Sequence, residues 1–348
     1  MKIFIDSQIY LLQPRGGISR YFSILTAQLR LKEKITLQTG HKRRYVRNPL
    51  VRLILFTYCS LFDYLKYRQK NFDIYHQTYF WLPFRIIKNK RRVITVFDMN
   101  WEVMKSQSRF PYFKSKLKCI ACKRADHIIT ISNSTRADLI KLFNISPEKV
   151  TTIHLGVGED FFVAKLQKYA RKKKQILFVG KRSGYKNFDI FMQAFAGSQC
   201  VRSQFSVLCV GGGGFTRAEK ILFQEYGLSE TEIQHRDLTD AELIEEYKCS
   251  RCLVYPSLYE GFGLPILEAG AAGCAVITSD SSSMKEIGEG SCILVDPHKY
   301  DELREALEMV CFNDALMWEL IEKGWANAKR YTWMETSRRT LKLYEGLI

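Results

Sequence analysis

The chain has 348 residues, 46% of them hydrophobic and 26% charged, a balance that belongs to folded globular proteins and excludes a disordered one. That length exceeds one typical core and suits two domains. The formal net charge of +17 sits in one half, since residues 1–165 carry 30 Lys and Arg against 11 Asp and Glu, whereas residues 166–348 carry 23 against 25.

In chain order, short apolar runs alternate with longer helical stretches, which predicts parallel sheets wound with helices on both faces. Met1-Lys-Ile-Phe-Ile-Asp6 carries an acid inside what would be a signal's apolar core, so it reads as a first strand and not as an export signal. Gly16 and Gly17 then separate that strand from a helical spacing over 18–31; two glycines let a backbone come close to a ligand, and they also make a tight turn. Residues 41–52 are strongly basic, 53–62 apolar, and Lys66, Arg68 and Lys70 close the segment. Ten apolar residues cannot span a bilayer. The segment suits the surface of an anionic membrane or a lipid diphosphate, and equally a solvated basic face over a core helix. With no zinc-finger spacing, ribonucleoprotein motif or heptad-linked basic region, nucleic acid is not expected as a partner.

Further first-half strands are expected near 35–39, 73–76, 93–98, 127–132 and 151–155, and second-half strands near 175–180, 206–211, 232–235, 252–256, 275–279 and 292–296. Six and six predict two similar domains, 1–165 and 166–333. The charged segment 165–175 lacks a buried face and reads as their connection.

The second half carries the chemistry. Gly180-Lys-Arg-Ser-Gly-Tyr-Lys-Asn187 follows a strand and precedes a helix, where open α/β sheets meet ligands. Arg182 can fork onto two phosphate oxygens and Lys186 can add a point charge, although a solvated basic turn would look the same. Val207-Leu-Cys-Val-Gly-Gly-Gly-Gly214 lacks the third glycine at dinucleotide spacing and reads as a strand-to-helix turn. In Glu260-Gly-Phe-Gly-Leu-Pro-Ile-Leu-Glu268 two carboxylates bracket a turn that opens a helix, with Pro265 suited to its first position. The amides of Phe262, Gly263 and Leu264 would face an anion such as a diphosphate. Glu268 offers two acceptor oxygens for a ribose cis-diol, and Glu260, beside Gly261, can meet hydroxyls of a sugar. Either acid alone would read as an ordinary solvated charge; the joint spacing with the glycines favours a site.

These residues resemble glycosyltransferase family 4, the retaining, nucleotide-sugar-dependent enzymes. The likeness extends to Phe178–Phe188, Thr239–Leu243 and Gly270–Thr278, and in the first half to Gly16–Tyr21, Ala125–Ser132 and Leu155–Val157 with Phe161, which are similar to a branch that builds bacterial surface polysaccharides. The resemblance implies two facing Rossmann-like domains (GT-B architecture) with an inter-domain cleft, and a last helix, 334–348, that returns to the first domain. Arg182 and Lys186 match the family's basic pair for the departing diphosphate, with Lys181 as the alternative to Arg182. Gly16, Gly17 and Gly180 join Gly261 to Leu264 and Glu268 in holding the donor. Arg20 and Asp98 are candidates for the acceptor. Phe97 stands where the family commonly has a histidine; His76 is a possible polar replacement, or else a structural histidine.

The implied reaction moves a hexose, mannose-type by expectation, from a nucleotide diphosphate sugar to a hydroxyl of a lipid-linked glycan, at the inner face of the plasma membrane. No Asp-x-Asp occurs in the chain, so neither a metal nor another cofactor is expected. Cys119-x-x-Cys122 and Cys249-x-x-Cys252 have the count of a four-thiolate zinc site, but a metal shared between the two domains would pin the cleft, and reduced buried thiols are expected. The rival readings are a dinucleotide enzyme that modifies nucleotide sugars and a basic binding module for membrane or nucleic acid.

Overall fold

In the computed structural model, which describes residues 1–13, 16–31, 35–39, 72–80, 91–104, 111–164, 166, 172–182, 184–229 and 231–348, the first half forms strands β1 (Lys2–Ile5), β2 (Thr36–Thr39), β3 (Ile74–Gln77), β4 (Arg91–Val96), β5 (His127–Thr130) and β6 (Val150–Thr152). They make one six-stranded parallel sheet in the order β2-β1-β3-β4-β5-β6. The second half forms β7 (Gln175–Val179), β8 (Ser206–Val210), β9 (Ile233–Arg236), β10 (Cys252–Tyr255), β11 (Ala275–Ser279) and β12 (Ile293–Val295), in a parallel sheet of order β12-β11-β10-β7-β8-β9. Each strand falls where an apolar run predicts one, and the expected pair of Rossmann-like domains is present. Strands β5, β10 and β11 bury every residue, as parallel strands covered on both faces must.

The chain divides into two compact units, Met1–Gly156 with Trp333–Ile348, and Val157–Thr332. Residues 157–164, which the sequence reading placed with the first domain, belong to the second. Val157 donates its N–H to Tyr331 O at 3.0 Å and Val163 to Ala271 O at 3.2 Å, and the Phe161 ring lies 6.4 Å from that of Tyr247. Of the expected connection, residues 165 and 167–171 lie outside the described residues, as does the basic segment 41–70. In the first unit, helix Trp333–Leu347 is tied to the sheet by Thr336 Oγ1, which donates to His154 O at 2.8 Å, and by Arg339, which donates to Thr152 O at 2.9 Å. In the second, a Cβ on Gly270 would come within 2.7 Å of Gly324 O, so the small residues after Glu268 serve a close helix crossing. Among the described residues, no helix is long and apolar enough to cross a membrane.

Two buried titratable groups give the first unit a pH dependence. Burial pulls the His76 pKa down to about 3, against about 6.5 in an unfolded chain. Below 6.5 the unfolded state therefore binds a proton that the native state refuses, and stability falls as pH drops from 6.5 toward 3. Asp6 acts in the opposite sense. Burial raises it to about 6 despite hydrogen bonds from Thr78, Tyr75 and Gln8, so its contribution falls as pH rises through the window between roughly 3.9 and 6. Between pH 7 and pH 4 the two effects largely cancel, which leaves a net loss of about 1 kcal/mol on acidification. Denaturant unfolding between pH 7 and pH 4 should show this loss steepen in Asp6→Asn. An unchanged slope in that variant would contradict the assignment.

Candidate active site

Open parallel sheets bind ligands outside the carboxyl ends of their strands, where the strand order reverses. In the second sheet that point lies between neighbours β7 and β10, whose successors β8 and β11 lie on opposite sides. The loops leaving β7 and β10 are the two that the sequence singles out. They are clasped together: Leu258 N–H donates to Tyr185 O at 2.7 Å, and Asn187, held at φ +59°, donates from Nδ2 to Pro256 O at 3.1 Å and to Pro297 O at 2.7 Å. The clasp sets Lys186 Nζ 2.6 Å from Glu260 Oε1 and 2.6 Å from the Tyr255 hydroxyl, over whose ring the ammonium lies at 4.6 Å.

Lys186 and Glu260 are nearly buried, at 14% and 13% side-chain exposure, so their attraction is only partly screened by solvent. Burial, then the Glu260 charge, pushes the Tyr255 hydroxyl well above its ordinary range. The Glu260 loop is fixed from below: its N–H donates to Ser282 Oγ at 3.0 Å, and Ser283 Oγ donates to its carbonyl at 2.8 Å. Sequence reasoning missed Tyr255 and this serine run. The serines carry a signal, but a run before a helix reads first as a cap.

The helix after Glu260 spans Leu264–Ala271 and begins without a side-chain cap, behind Gly263 at φ +96°. A Cβ there would be strained and would touch Ile266 Cδ1 at 3.0 Å. Pro265 is the second helical residue rather than the first. Gly261 and Phe262 are buried, the latter edge-on to Tyr331 at 6.1 Å. Glu268 is 7% exposed, and after burial its charge is the next cause of the raised Tyr247 pKa. Gly180, at φ +124°, bends the chain out of β7 and lies against the end of the Lys186 side chain.

Arg182 departs from the expectation. Its guanidinium turns away from the β10 loop into the glycine turn after β8, where Nε donates to Glu219 Oε1 at 2.7 Å, Nη1 to Gly211 O at 2.6 Å, and Nη2 to Gly213 O at 2.5 Å and Gly214 O at 3.2 Å. Its plane also lies 4.9 Å from the Phe215 ring centre. Gly211, Gly212 and Gly213 all have φ near +80°, a conformation that aims successive carbonyls into one cage and that only glycine adopts freely. A planar fork with five donors fills such a cage. Glu219 serves twice, because it also accepts from Thr216 N–H at 2.6 Å and so caps its own helix. Arg182 is thus held within this turn, and Lys181 is an exposed cation of the loop. The glycines, committed to the cage, lend nothing to the dinucleotide reading.

In the first sheet the strand order reverses between β1 and β3. Asp6 closes that point, accepting from Thr78 N–H at 3.1 Å and Tyr75 Oη at 2.8 Å. Above it lies a cavity of about 220 Å³ bordered by Gln13, Tyr79, Phe97, Asp98, Trp101 and Lys118. Lys118 is 1% exposed and donates to Asp98 O at 3.0 Å and Glu102 Oε2 at 2.9 Å, with its ammonium 4.8 Å from the Trp101 ring centre. Phe97 packs edge-on against Tyr21 at 5.3 Å, so the position that departs from the family pattern belongs to an aromatic core. Asp98 is half-buried at the cavity wall, while Tyr79, Trp101 and Lys118 had no sequence signal beyond ordinary core composition.

His76 belongs elsewhere. It is fully buried, with Nδ1 2.5 Å from the Tyr344 hydroxyl and Nε2 2.9 Å from Thr95 Oγ1, and is a core histidine that no acceptor could reach. Arg20 is half-buried and is not among the described residues that border the cavity. Gly16 precedes helix Gly17–Arg30, and a Cβ on it would overlap Gln13. Gly17, by contrast, is exposed with open space around it. Gly17→Ala should therefore keep or raise stability by up to about 1 kcal/mol. If a ligand approaches that backbone, donor KM rises in the same variant; unchanged kinetics would reduce both glycines to a turn.

Cys122 and Cys252 lie buried in different units, and burial pushes the Cys122 thiol up to about 12. Among the described residues, no group of three or more His, Cys, Asp or Glu is placed to hold a metal ion.

Two Rossmann-like domains of this kind define the GT-B class of glycosyltransferase fold. Sucrose-phosphate synthase from Thermosynechococcus elongatus matches over 100% of this chain and 99% of its own with a TM-score of 0.79 at 19% identity. Anabaena Alr3699/HepE, solved in complex with UDP-glucose, matches over 99% and 100% with a TM-score of 0.77 at 14% identity. The family model described as Glycosyltransferase Family 4 matches residues 16–161, and that described as Glycosyl transferases group 1 matches residues 162–325. The chain belongs to glycosyltransferase family 4. It is 28% identical over 303 residues to O-antigen chain mannosyltransferase B of Escherichia coli, spanning 83% of this chain and 76% of that protein.

Proposed function

We propose that the protein is a retaining, metal-independent hexosyltransferase. It moves a mannose-type sugar from a nucleotide diphosphate donor to a hydroxyl of a lipid-linked glycan in surface polysaccharide synthesis, from the cytoplasmic face of the membrane. The observation that carries this reading is the Lys186–Glu260–Tyr255 cluster at the β7/β10 reversal, beside a helix start that no side chain caps. The name of the Escherichia coli relative supports the sugar and the polymer, and the UDP-glucose complex of the Anabaena protein supports a nucleotide-sugar donor.

Glycosyl transfer passes through an oxocarbenium-like state, so the site must stabilise negative charge as it gathers on the departing diphosphate. Lys186, Lys181 and the start of helix Leu264–Ala271 supply that stabilisation. Donor binding draws the ammonium of Lys186 from Glu260 toward phosphate, which frees a Glu260 oxygen for the sugar hydroxyls. Glu268 takes the ribose diol. In same-face substitution the bond from the anomeric carbon to phosphate oxygen breaks, the bond to the acceptor oxygen forms, and the acceptor's proton passes to the departing phosphate. The cavity at Asp98 and Trp101 takes the acceptor sugar, its aromatic wall facing the apolar side of a pyranose.

Purified protein incubated with a panel of nucleotide sugars and a lipid-linked glycan should release nucleoside diphosphate fastest from a mannosyl donor. The rate should survive chelation of divalent ions. No turnover of any hexose donor, or abolition by chelator, would refute the respective part.

A further inference from the structure

At the edge of the second sheet opposite residues 180–187 lies a separate cavity of about 400 Å³, bordered by Lys172, Lys174, Gln204, Arg251, Phe312 and Trp318. Strands β7 and β10 both start here, roughly 15 Å along the strand from their carboxyl ends. Arg251, 8% exposed, donates from Nε to Val310 O at 2.8 Å and from Nη1 to Asp314 Oδ1 at 2.5 Å. Its Nη2 is buried and has no partner among the described residues. An unsatisfied guanidinium N–H is costly to bury, and a turn of the side chain that offers it to an anion in the cavity would relieve that cost.

The local charge has the same sense. Lys174 donates to Gln204 Oε1 at 2.6 Å and Lys172 to the carbonyls of Lys248 and Gly273, so among the described residues neither ammonium meets a carboxylate. The two other bordering cations are paired, Lys173 with Glu246 Oε2 at 3.2 Å and Arg251 with Asp314, whose side chain is 79% exposed. Cys311, Met317 and three aromatic rings make the apolar part of the wall: Trp318 lies beneath Lys172 at 5.8 Å, and Phe312, packed edge-on to Phe205 at 5.8 Å, remains 47% exposed.

We propose that this cavity binds a phosphate ester, with the Lys174 ammonium on the phosphate oxygens, the Arg251 guanidinium turning its covered Nη2 to join it, and the exposed Phe312 ring against an apolar remainder. The ester is either a soluble phosphorylated compound or the headgroup of an anionic lipid. The site is separate from the transfer reaction and does not depend on it.

Phenyl phosphate serves as the probe. Calorimetric titration of the full chain should give saturable binding that persists in saturating UDP, tighter than binding of inorganic phosphate. Lys174→Gln, an exposed substitution, should weaken it roughly tenfold, and Phe312→Ala should weaken phenyl phosphate more than inorganic phosphate. Arg251→Gln should abolish binding, with folding checked because Asp314 loses its partner. Flotation with phosphatidylglycerol vesicles separates the sources: Lys174→Gln weakens vesicle binding in step with phenyl phosphate if the ligand is a headgroup, and leaves it unchanged if the ligand is soluble. No saturable binding, equal affinity in wild type and Lys174→Gln, or displacement by UDP would overturn the proposal.

Discussion

Lys186→Met should lower kcat for sugar transfer by roughly 10²–10³-fold, the loss expected when one preorganised donor to a developing anion is removed. The substitution also strands Glu260, which is nearly buried beside the Tyr255 hydroxyl, so some stability is lost with it. A double variant separates the two effects. Lys186→Met with Glu260→Gln leaves a neutral pair of similar shape, which should restore much of the stability and none of the turnover. If turnover returned along with stability, Lys186 would be a structural cation and the proposed charge stabilisation would have to come from elsewhere.

Arg182→Met should destabilise the second unit by about 3–5 kcal/mol, because it leaves Glu219 and the carbonyls of Gly211, Gly213 and Gly214 without their shared donor. Denaturant unfolding of the second unit measures this. A phosphate-binding role predicts the opposite pattern, namely stability within about 0.5 kcal/mol of wild type and a large rise in donor KM. Lys181→Gln, on an exposed side chain of the same loop, should show that second pattern. The two substitutions decide between Arg182 and its alternative Lys181 as the partner of Lys186 in the basic pair that the family resemblance implies.

Continuous apolar runs mark a strand whose two faces are both buried, which is why the strands and the doubly wound class are legible in the sequence. The loops at 180–187 and 260–268 were legible because glycine, proline and paired charges at fixed spacing have few physical uses. What spacing could not show was where a guanidinium points. The cage around Arg182 depends on three consecutive left-handed glycines, and from sequence those glycines announce only a turn. For His76 the structural reading stood beside the acceptor one and sequence could not decide between them, since its partner Tyr344 is distant on the last helix. A histidine at a strand end looks the same whether it faces a ligand or the core. The cavity at Trp101 and Lys118 was hidden by ordinary composition. A lysine buried against tryptophan and a carboxylate is recognisable only after the chain has folded.

The central claim is that the donor's diphosphate sits where β7 and β10 end. Hydrogen exchange of backbone amides, measured with and without a saturating nucleoside diphosphate, tests it directly. Slowed exchange in peptides covering 180–187 and 260–268, with 172–174 and 311–318 unchanged, is the predicted result. Slowing confined to other parts of the chain, with those two loops exchanging at their free rates, would contradict the account.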